Sequence, residues 1–131
     1  MLFRSDCNKA KTIVIYDSST ANENYLNRIP KCVEVEKVSS DNPELISKIL
    51  AKRGCNKVLW ECGPRLATAA IKSNCIQEII TFIAPKILGG ENSMNPLSDF
   101  EFSEMHETIK LSDSQFKLIG NDIYVKSSFK N

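Results

Sequence analysis

Histidine occurs once in the 131 residues, as His106. One imidazole cannot build a multi-histidine metal centre, and in an alternating C-terminal stretch it reads as a surface or structural residue, not as a metal ligand or general base. Glycine is also scarce, with 5 in the chain, and none falls into GxGxxG or GxxxxGK[ST], so the common phosphate-loop motifs are excluded. The cysteines Cys7, Cys32, Cys55, Cys62 and Cys75 are odd in number and form no CxxC pair, which argues against both a zinc site and a disulfide framework. Most of these thiols are expected as small core hydrophobes. Charge of either sign is not in excess, since 17 basic residues face 16 acidic ones. No basic run with interleaved aromatics is present, so nucleic acid is not an expected partner. No apolar run reaches the roughly 20 residues that span a bilayer. No membrane association is expected, and with no secretory signal pattern the expected compartment is a reducing cytoplasm.

What remains is the balance of a soluble globular protein, 42% hydrophobic and 25% charged, long enough for a single domain over 1–131. The chain is organised around the stretch from Val58 to Ala84. Val58-Leu59-Trp60 is a short apolar run that predicts a buried strand, and Pro64 to Lys72 predicts a helix, so the chain turns at Glu61-Cys62-Gly63-Pro64. Pro64 suits a first helical position because its φ is preset and its missing N–H has no partner to lose there. Gly63 lets the backbone approach a ligand closely. The N–H groups of Arg65 and Leu66 then point out of the helix start, where partial positive charge and free donors suit a phosphate, with Arg65 adding a charge-assisted contact. A strand, a Gly-Pro turn and a helix also make an ordinary crossover connection, and local pattern alone favours that plainer use. Cys62, beside the helix start, has no neighbouring histidine or second thiol in sequence to make it a nucleophile.

Around this centre the chain alternates strand and helix. Thr12 to Tyr16 predicts a strand buried on both faces, followed by the polar break Asp17-Ser18-Ser19-Thr20, where Ser18 and Ser19 are candidates for a ribose contact only by their place after a strand. Ala21 to Ile29 predicts a short helix ending before Pro30, and Cys32 to Val38 alternates as an edge strand. Asn42 as cap, Pro43 and Glu44 in the first turn, and Lys52-Arg53-Gly54 at the end bound a helix that buries Leu45, Ile46, Ile49 and Leu50 and leads into the Val58 strand as a parallel crossover. Asn74 ends the central helix, and Ile76 to Ala84 predicts another buried strand. A loop begins at Leu88-Gly89-Gly90-Glu91-Asn92 and runs to about Phe100. Three alternating stretches follow, His106 to Leu111, Gln115 to Ile119 and Asp122 to Phe129, with turns expected at Ser112-Asp113-Ser114 and Gly120-Asn121. The expected class is α/β, a mostly parallel sheet flanked by helices with antiparallel C-terminal strands.

Two of these motifs carry a resemblance. Val58 to Leu66, with Glu61-Cys62-Gly63-Pro64 at its centre, followed by a strand ending Ala84-Pro85 and by Lys86-Ile87-Leu88-Gly89-Gly90, resembles the reductase domain of the bifunctional riboflavin biosynthesis deaminase-reductase. That family's pattern is Glu-Gly-Gly-Pro, a helix, a strand ending Ala-Pro, and Lys-Leu-Leu-Gly-Gly. Cys62 replaces the first glycine, and Gln77 stands where aspartate is usual. The resemblance implies a dihydrofolate-reductase-like fold and NADPH-dependent reduction of a pyrimidine ribose phosphate, 5-amino-6-(5-phosphoribosylamino)uracil, whose ribose is opened to a ribityl chain. Carried over to this chain, Glu61 contacts the substrate, and Gly63, Pro64, Arg65, Leu66, Ala67, Thr68 and Ala69 line the cofactor phosphates. No catalytic residue and no metal ligand is assigned. The chain matches only the later part of the family's reductase domain and lacks the deaminase's His-x-Glu and Pro-Cys-x-x-Cys. The expectation is therefore a domain incomplete at its N-terminus and inactive alone, whose sheet exposes an edge or pairs with a second copy as a homodimer. The alternative is a catalytically dead self-associating domain without cofactor binding.

Overall fold

The β-branched run after Lys11 forms strand β1 (Ile13–Asp17), from which the chain returns through a short helix α1 (Glu23–Leu26) to strand β2 (Glu34–Val38). The structure, a computed structural model, describes residues 9–90, 95–98 and 100–130. It divides into two compact units, Met1–Asn56 and Lys57–Asn131. Expectations for 1–8, including Cys7, and for Glu91-Asn92 lie outside the described residues.

In the first unit β1 and β2 pair in parallel, with Ile13 opposite Glu34 and Asp17 opposite Val38. Parallel strands need a crossover, and α1 supplies it. The Asn22 side chain caps α1 by accepting from the Asn24 N–H at 2.9 Å. β1 is half-buried along its length and not buried on both faces as expected, because this sheet has two strands among the described residues. Burial concentrates at Val33, Val38 and Pro43. Helix α2 (Pro43–Lys52) starts and stops where its terminal residues dictate. Asn42 Oδ1 accepts from the Glu44 N–H at 2.8 Å. At the other end Gly54 takes φ +86, which lets the Gly54 N–H reach the Ala51 carbonyl at 2.9 Å and the Cys55 N–H reach the Leu50 carbonyl at 3.0 Å. These two bonds satisfy carbonyls that a helix end otherwise leaves open. Leu45, Ile46, Ile49 and Leu50 are half-buried on its inner face.

Arg53, just past α2, donates to Glu34 at 2.7 Å and also to Glu36, two carboxylates on one face of β2. The Arg53 hydrogen bond holds the Glu34 carboxyl below the usual carboxylate range. A depressed folded-state pKa gives stability that is present above the unfolded pKa and is lost as pH falls through the folded one. Arg53→Met should therefore lower the melting temperature slightly at neutral pH and not at all in acid, where Glu34 is protonated in both proteins. Thermal melts at the two pH values check this, and an equal deficit at both would count against the ion pair as its cause.

The second unit contains helix α3 (Pro64–Lys72) and strands β3 (Glu78–Ile83), β4 (Leu111–Ile119) and β5 (Asp122–Phe129), ordered β3-β5-β4 with both pairings antiparallel. α3 begins and ends at the expected residues. It is closed by Asn74 at φ +53, with Asn74 N–H to the Ile71 carbonyl and Cys75 N–H to the Ala70 carbonyl, both at 3.0 Å. Among the described residues of this unit, Thr68, Ala70, Ile71 and Ser127 are buried. The β4–β5 hairpin turns on Gly120-Asn121, as expected, with Gly120 at φ +61.

Several expectations are corrected here. Val58-Leu59-Trp60 joins no strand, and Leu59 is 79% exposed. Apolar, strand-forming residues mark a segment that can extend, but a strand exists only where a neighbour completes its ladder, and none among the described residues does. Among the described residues the strand expected at the end of the crossover from α2 is accordingly absent, and parallel pairing is seen between β1 and β2. β3 was expected to be buried, yet Ile80, Phe82 and Ile83 are about half exposed or more. His106 to Leu111 is not a strand. Met105–Glu107 forms a 3-10 turn in which Glu107 Oε2 accepts from the Ser103 and Glu104 N–H groups at 2.8 and 3.1 Å. The turn expected at Ser112-Asp113-Ser114 is instead an irregularity inside β4. Ser112 pairs with Ser128 and Gln115 with Lys126, so two residues of β4 face one of β5, and Asp113 takes φ +52. A bulge of this kind keeps the strand continuous while using turn-forming residues, and the Ser114 and Ser127 hydroxyls meet across it at 2.8 Å. None of the described cysteines is a core residue, as Cys32 and Cys55 are exposed and Cys62 and Cys75 are half-buried. Cys32, where no disulfide was expected, is disulfide-bonded.

Candidate functional site

The start of α3 is built by local chemistry alone. Gly63 is the cap residue, with φ −72 and ψ 170, and Pro64 takes the first helical position. No side chain caps this end, whereas the Asn22 and Asn42 carboxamides cap α1 and α2. The first intrahelical bond runs from the Ala67 N–H to the Gly63 carbonyl at 3.0 Å. The Arg65 and Leu66 N–H groups come before it and have no acceptor among the described residues. The Arg65 side chain is exposed and makes no ion pair among the described residues. Two free donors, a guanidinium and the positive end of a nine-residue helix form an arrangement that accepts an anion. A Cβ built on Gly63 meets nothing within 4 Å, so the backbone at the cap residue is open to approach.

The residues nominated from the sequence divide accordingly. Gly63, Pro64, Arg65 and Leu66 stand together at the helix start. Ala67 has its N–H already engaged, and Ala69 lies more than a turn further on. Thr68 is 5% exposed, and its hydroxyl accepts from the Ser98 N–H at 2.9 Å and reaches the Ser98 carbonyl at 3.4 Å. That hydroxyl is committed to the loop after β3. Glu61 is exposed in the segment before Gly63. In the first unit Ser19 donates its N–H and hydroxyl to Asp17 Oδ1 at 2.8 and 2.9 Å, and the Ser18 N–H donates to the Val38 carbonyl at 3.1 Å. Ser19 is thereby occupied within its own turn.

Sequence reasoning missed Ser98, for which no local signal exists, since a serine in a long loop reveals a partner thirty residues away only once the chain is folded. The second motif is visible in structure as a backbone requirement. Gly89 and Gly90 take φ +61 and +111, conformations that side chains strongly disfavour. The second unit also contains a cavity of about 240 Å³ lined by Ile71, Ile79, Leu97, Phe100, Phe102 and neighbouring apolar residues, with Thr108 the one polar side chain. It includes none of the residues at the start of α3. Walls this apolar would strand the polar groups of a phosphorylated ligand, so the anion site and the cavity are different places. Among the described residues no group of three or more acidic, histidine or cysteine side chains is placed to hold a metal. None of the helices is long and apolar enough to cross a membrane.

Residues 5–125 match the family model described as RibD C-terminal domain. The chain is 32% identical to riboflavin biosynthesis protein PYRR, chloroplastic, of Arabidopsis thaliana over 92% of its own length and 20% of that protein. It is 36% identical to riboflavin biosynthesis protein RibD of Synechocystis sp. over 89% of its length and 32% of the relative's. It thus spans between a fifth and a third of these two relatives. A crystal structure of a pyrimidine reductase-like protein from Corynebacterium diphtheriae matches with a TM-score of 0.70 at 21% identity, over 91% of this chain and 50% of that one. The fold is thereby of the mixed α/β, dihydrofolate-reductase-like class that the resemblance implied.

Proposed function

The chain belongs to the RibD C-terminal domain family, the reductases of riboflavin biosynthesis, and from this premise we propose that it is the C-terminal portion of a domain that reduces 5-amino-6-(5-phosphoribosylamino)uracil to the ribitylamino product with NADPH. The observation that carries the reading is the uncapped start of α3, where the free N–H groups of Arg65 and Leu66 stand beside the Arg65 guanidinium and open space at Gly63. These residues would hold the cofactor diphosphate, with Gly63 admitting it close to the backbone and Arg65 supplying a charge-assisted contact. When bound, NADPH supplies the hydride that opens the ribose to a ribityl chain. Glu61, exposed two residues before Gly63, would contact the substrate. The protein's share of the chemistry is orientation and electrostatics. In this proposal the chain is cytoplasmic, binds cofactor weakly and does not turn over substrate by itself.

Calorimetric titration of NADPH into the chain tests this. The parent should bind, and Arg65→Ala should bind roughly tenfold more weakly, the scale of one lost charge-assisted hydrogen bond. A folded parent that binds no NADPH would remove the anion site. A second reading, a domain whose main role is self-association as a homodimer, is supported by a specific surface. Ile83, Ile123 and Leu118 line up across β3, β5 and β4, and with Phe116 they are 42 to 75% exposed. An uncharged patch of that kind favours burial against another surface. Sedimentation would then show a dimer in a chain that has no affinity for NADPH.

A further inference from the structure

The three-stranded sheet of the second unit has two edges that differ in kind. β4 is built as an outer strand, with polar residues from Ser112 to Gln115, a bulge at which Asp113 takes φ +52, and Lys117 beyond it. Bulges and lysines of this sort keep an edge from pairing further. β3, at the opposite edge, has neither. Its sequence is Glu78-Ile79-Ile80-Thr81-Phe82-Ile83, and its register with β5 runs unbroken over all of these residues. Its one charged side chain, Glu78, pairs with Lys126 at 2.6 Å. Successive side chains point to opposite faces, so Ile79 and Ile83 lie on one face and Ile80 and Phe82 on the other. A strand that is apolar on both faces has the composition of an inner strand.

The backbone leads to the same conclusion. The Phe129 N–H donates to the Gln77 carbonyl at 3.0 Å, which sets the phase of the antiparallel ladder. Ile79, Thr81 and Ile83 direct their N–H and C=O groups toward β5, and Ile80 and Phe82 direct theirs to the open side. Those outward groups have no partner among the described residues, and the Ile80 and Phe82 side chains are 46% and 57% exposed. Val58-Leu59-Trp60, in the same unit, is too short to cover the strand and makes no ladder with it. The matching Corynebacterium structure, by contrast, has as much chain again outside the matched 50%.

We propose that the open edge of β3 is a docking site for a strand from the half of the reductase fold that this chain does not span, an extended uncharged segment that is apolar on both faces. That strand takes up the free backbone groups of Ile80 and Phe82 and covers their side chains, as strand addition does elsewhere. The inference rests on the reading of the chain as one portion of a reductase domain. It uses neither the start of α3 nor the cofactor, so a failed NADPH titration leaves it standing and its own failure leaves that site untouched.

The experiment is co-purification of the chain with Synechocystis sp. RibD from which the 119 matched residues are removed, followed by sedimentation. The parent, Ile80→Pro and Leu118→Lys are compared, with circular dichroism reporting the fold of each. The Ile80 N–H takes no part in the β3–β5 ladder, so a proline there is tolerated as edge prolines are. The parent should form a one-to-one complex, Ile80→Pro should weaken it roughly tenfold or more, and Leu118→Lys, on β4 at the far side of the sheet, should stay within about twofold. A folded parent that forms no complex overturns the proposal. So does a complex lost in Leu118→Lys and kept in Ile80→Pro, which would place the contact on the sheet face and not on the edge. A parent that ignores the RibD fragment and dimerises by itself, with Ile80→Pro monomeric, would assign the edge to a second copy and overturn it equally.

Discussion

Gly63→Val should abolish NADPH binding and leave the chain folded. Gly63 takes φ −72 and ψ 170, extended backbone that valine adopts readily, and a Cβ there meets no atom within 4 Å beyond its chain neighbours. Glycine makes no side-chain capping bond here, so the helix loses only the small preference for glycine over valine at a cap, about 1 kcal/mol or less. The valine projects from the cap residue into open space, so a lost affinity would report a ligand that approaches the Gly63 backbone. Gly89 and Gly90 make the contrast. Their φ values of +61 and +111 mean that a substitution there strains the backbone whether or not a ligand binds. Titration calorimetry on the parent and on Gly63→Val, with circular dichroism on both, reads the outcome. Equal NADPH affinity in the two proteins would show that no ligand approaches the Gly63 backbone.

The largest stability effect is expected at Ile71. It is 9% exposed and lies on the side of α3 that borders the 240 Å³ cavity with Ile79, Leu97 and Phe100. Ile71→Ala removes three carbons from a wall that already has empty volume beside it, so the neighbours have little to collapse onto, and the expected cost is about 2–4 kcal/mol. Against a total of roughly 5–15 kcal/mol for an ordinary domain, that is enough to lower the melting temperature substantially. Ile80→Ala is the control. The chemistry is the same, but Ile80 is 46% exposed on β3, so much less apolar area leaves water and the cost should be about 1 kcal/mol. Urea melts of the two variants should separate clearly in midpoint. Equal midpoints would mean that α3 does not pack on the segment beyond Leu97.

The residues that determine local geometry were legible in the sequence. Asn42 with Pro43 and Gly54 bounded α2, Gly63 with Pro64 and Asn74 bounded α3, and Gly120-Asn121 placed the hairpin, because caps, fixed φ and left-handed positions act within a few residues of themselves. The same locality made the free donors of Arg65 and Leu66 readable before any fold was known, and the paired motifs at Glu61–Pro64 and Lys86–Gly90 carried the family. Only the tertiary structure decided which segments pair and what covers them. Val58-Leu59-Trp60 has every mark of a strand and no ladder partner among the described residues, and the polar Ser112-Asp113-Ser114 run stays inside β4, where the extra residue forms a bulge against β5. The hydrogen bond from the Ser98 N–H to the Thr68 hydroxyl joins residues that no local pattern connects. Strand pairing, burial and long-range hydrogen bonds depend on groups distant in sequence, so no window of residues contains them.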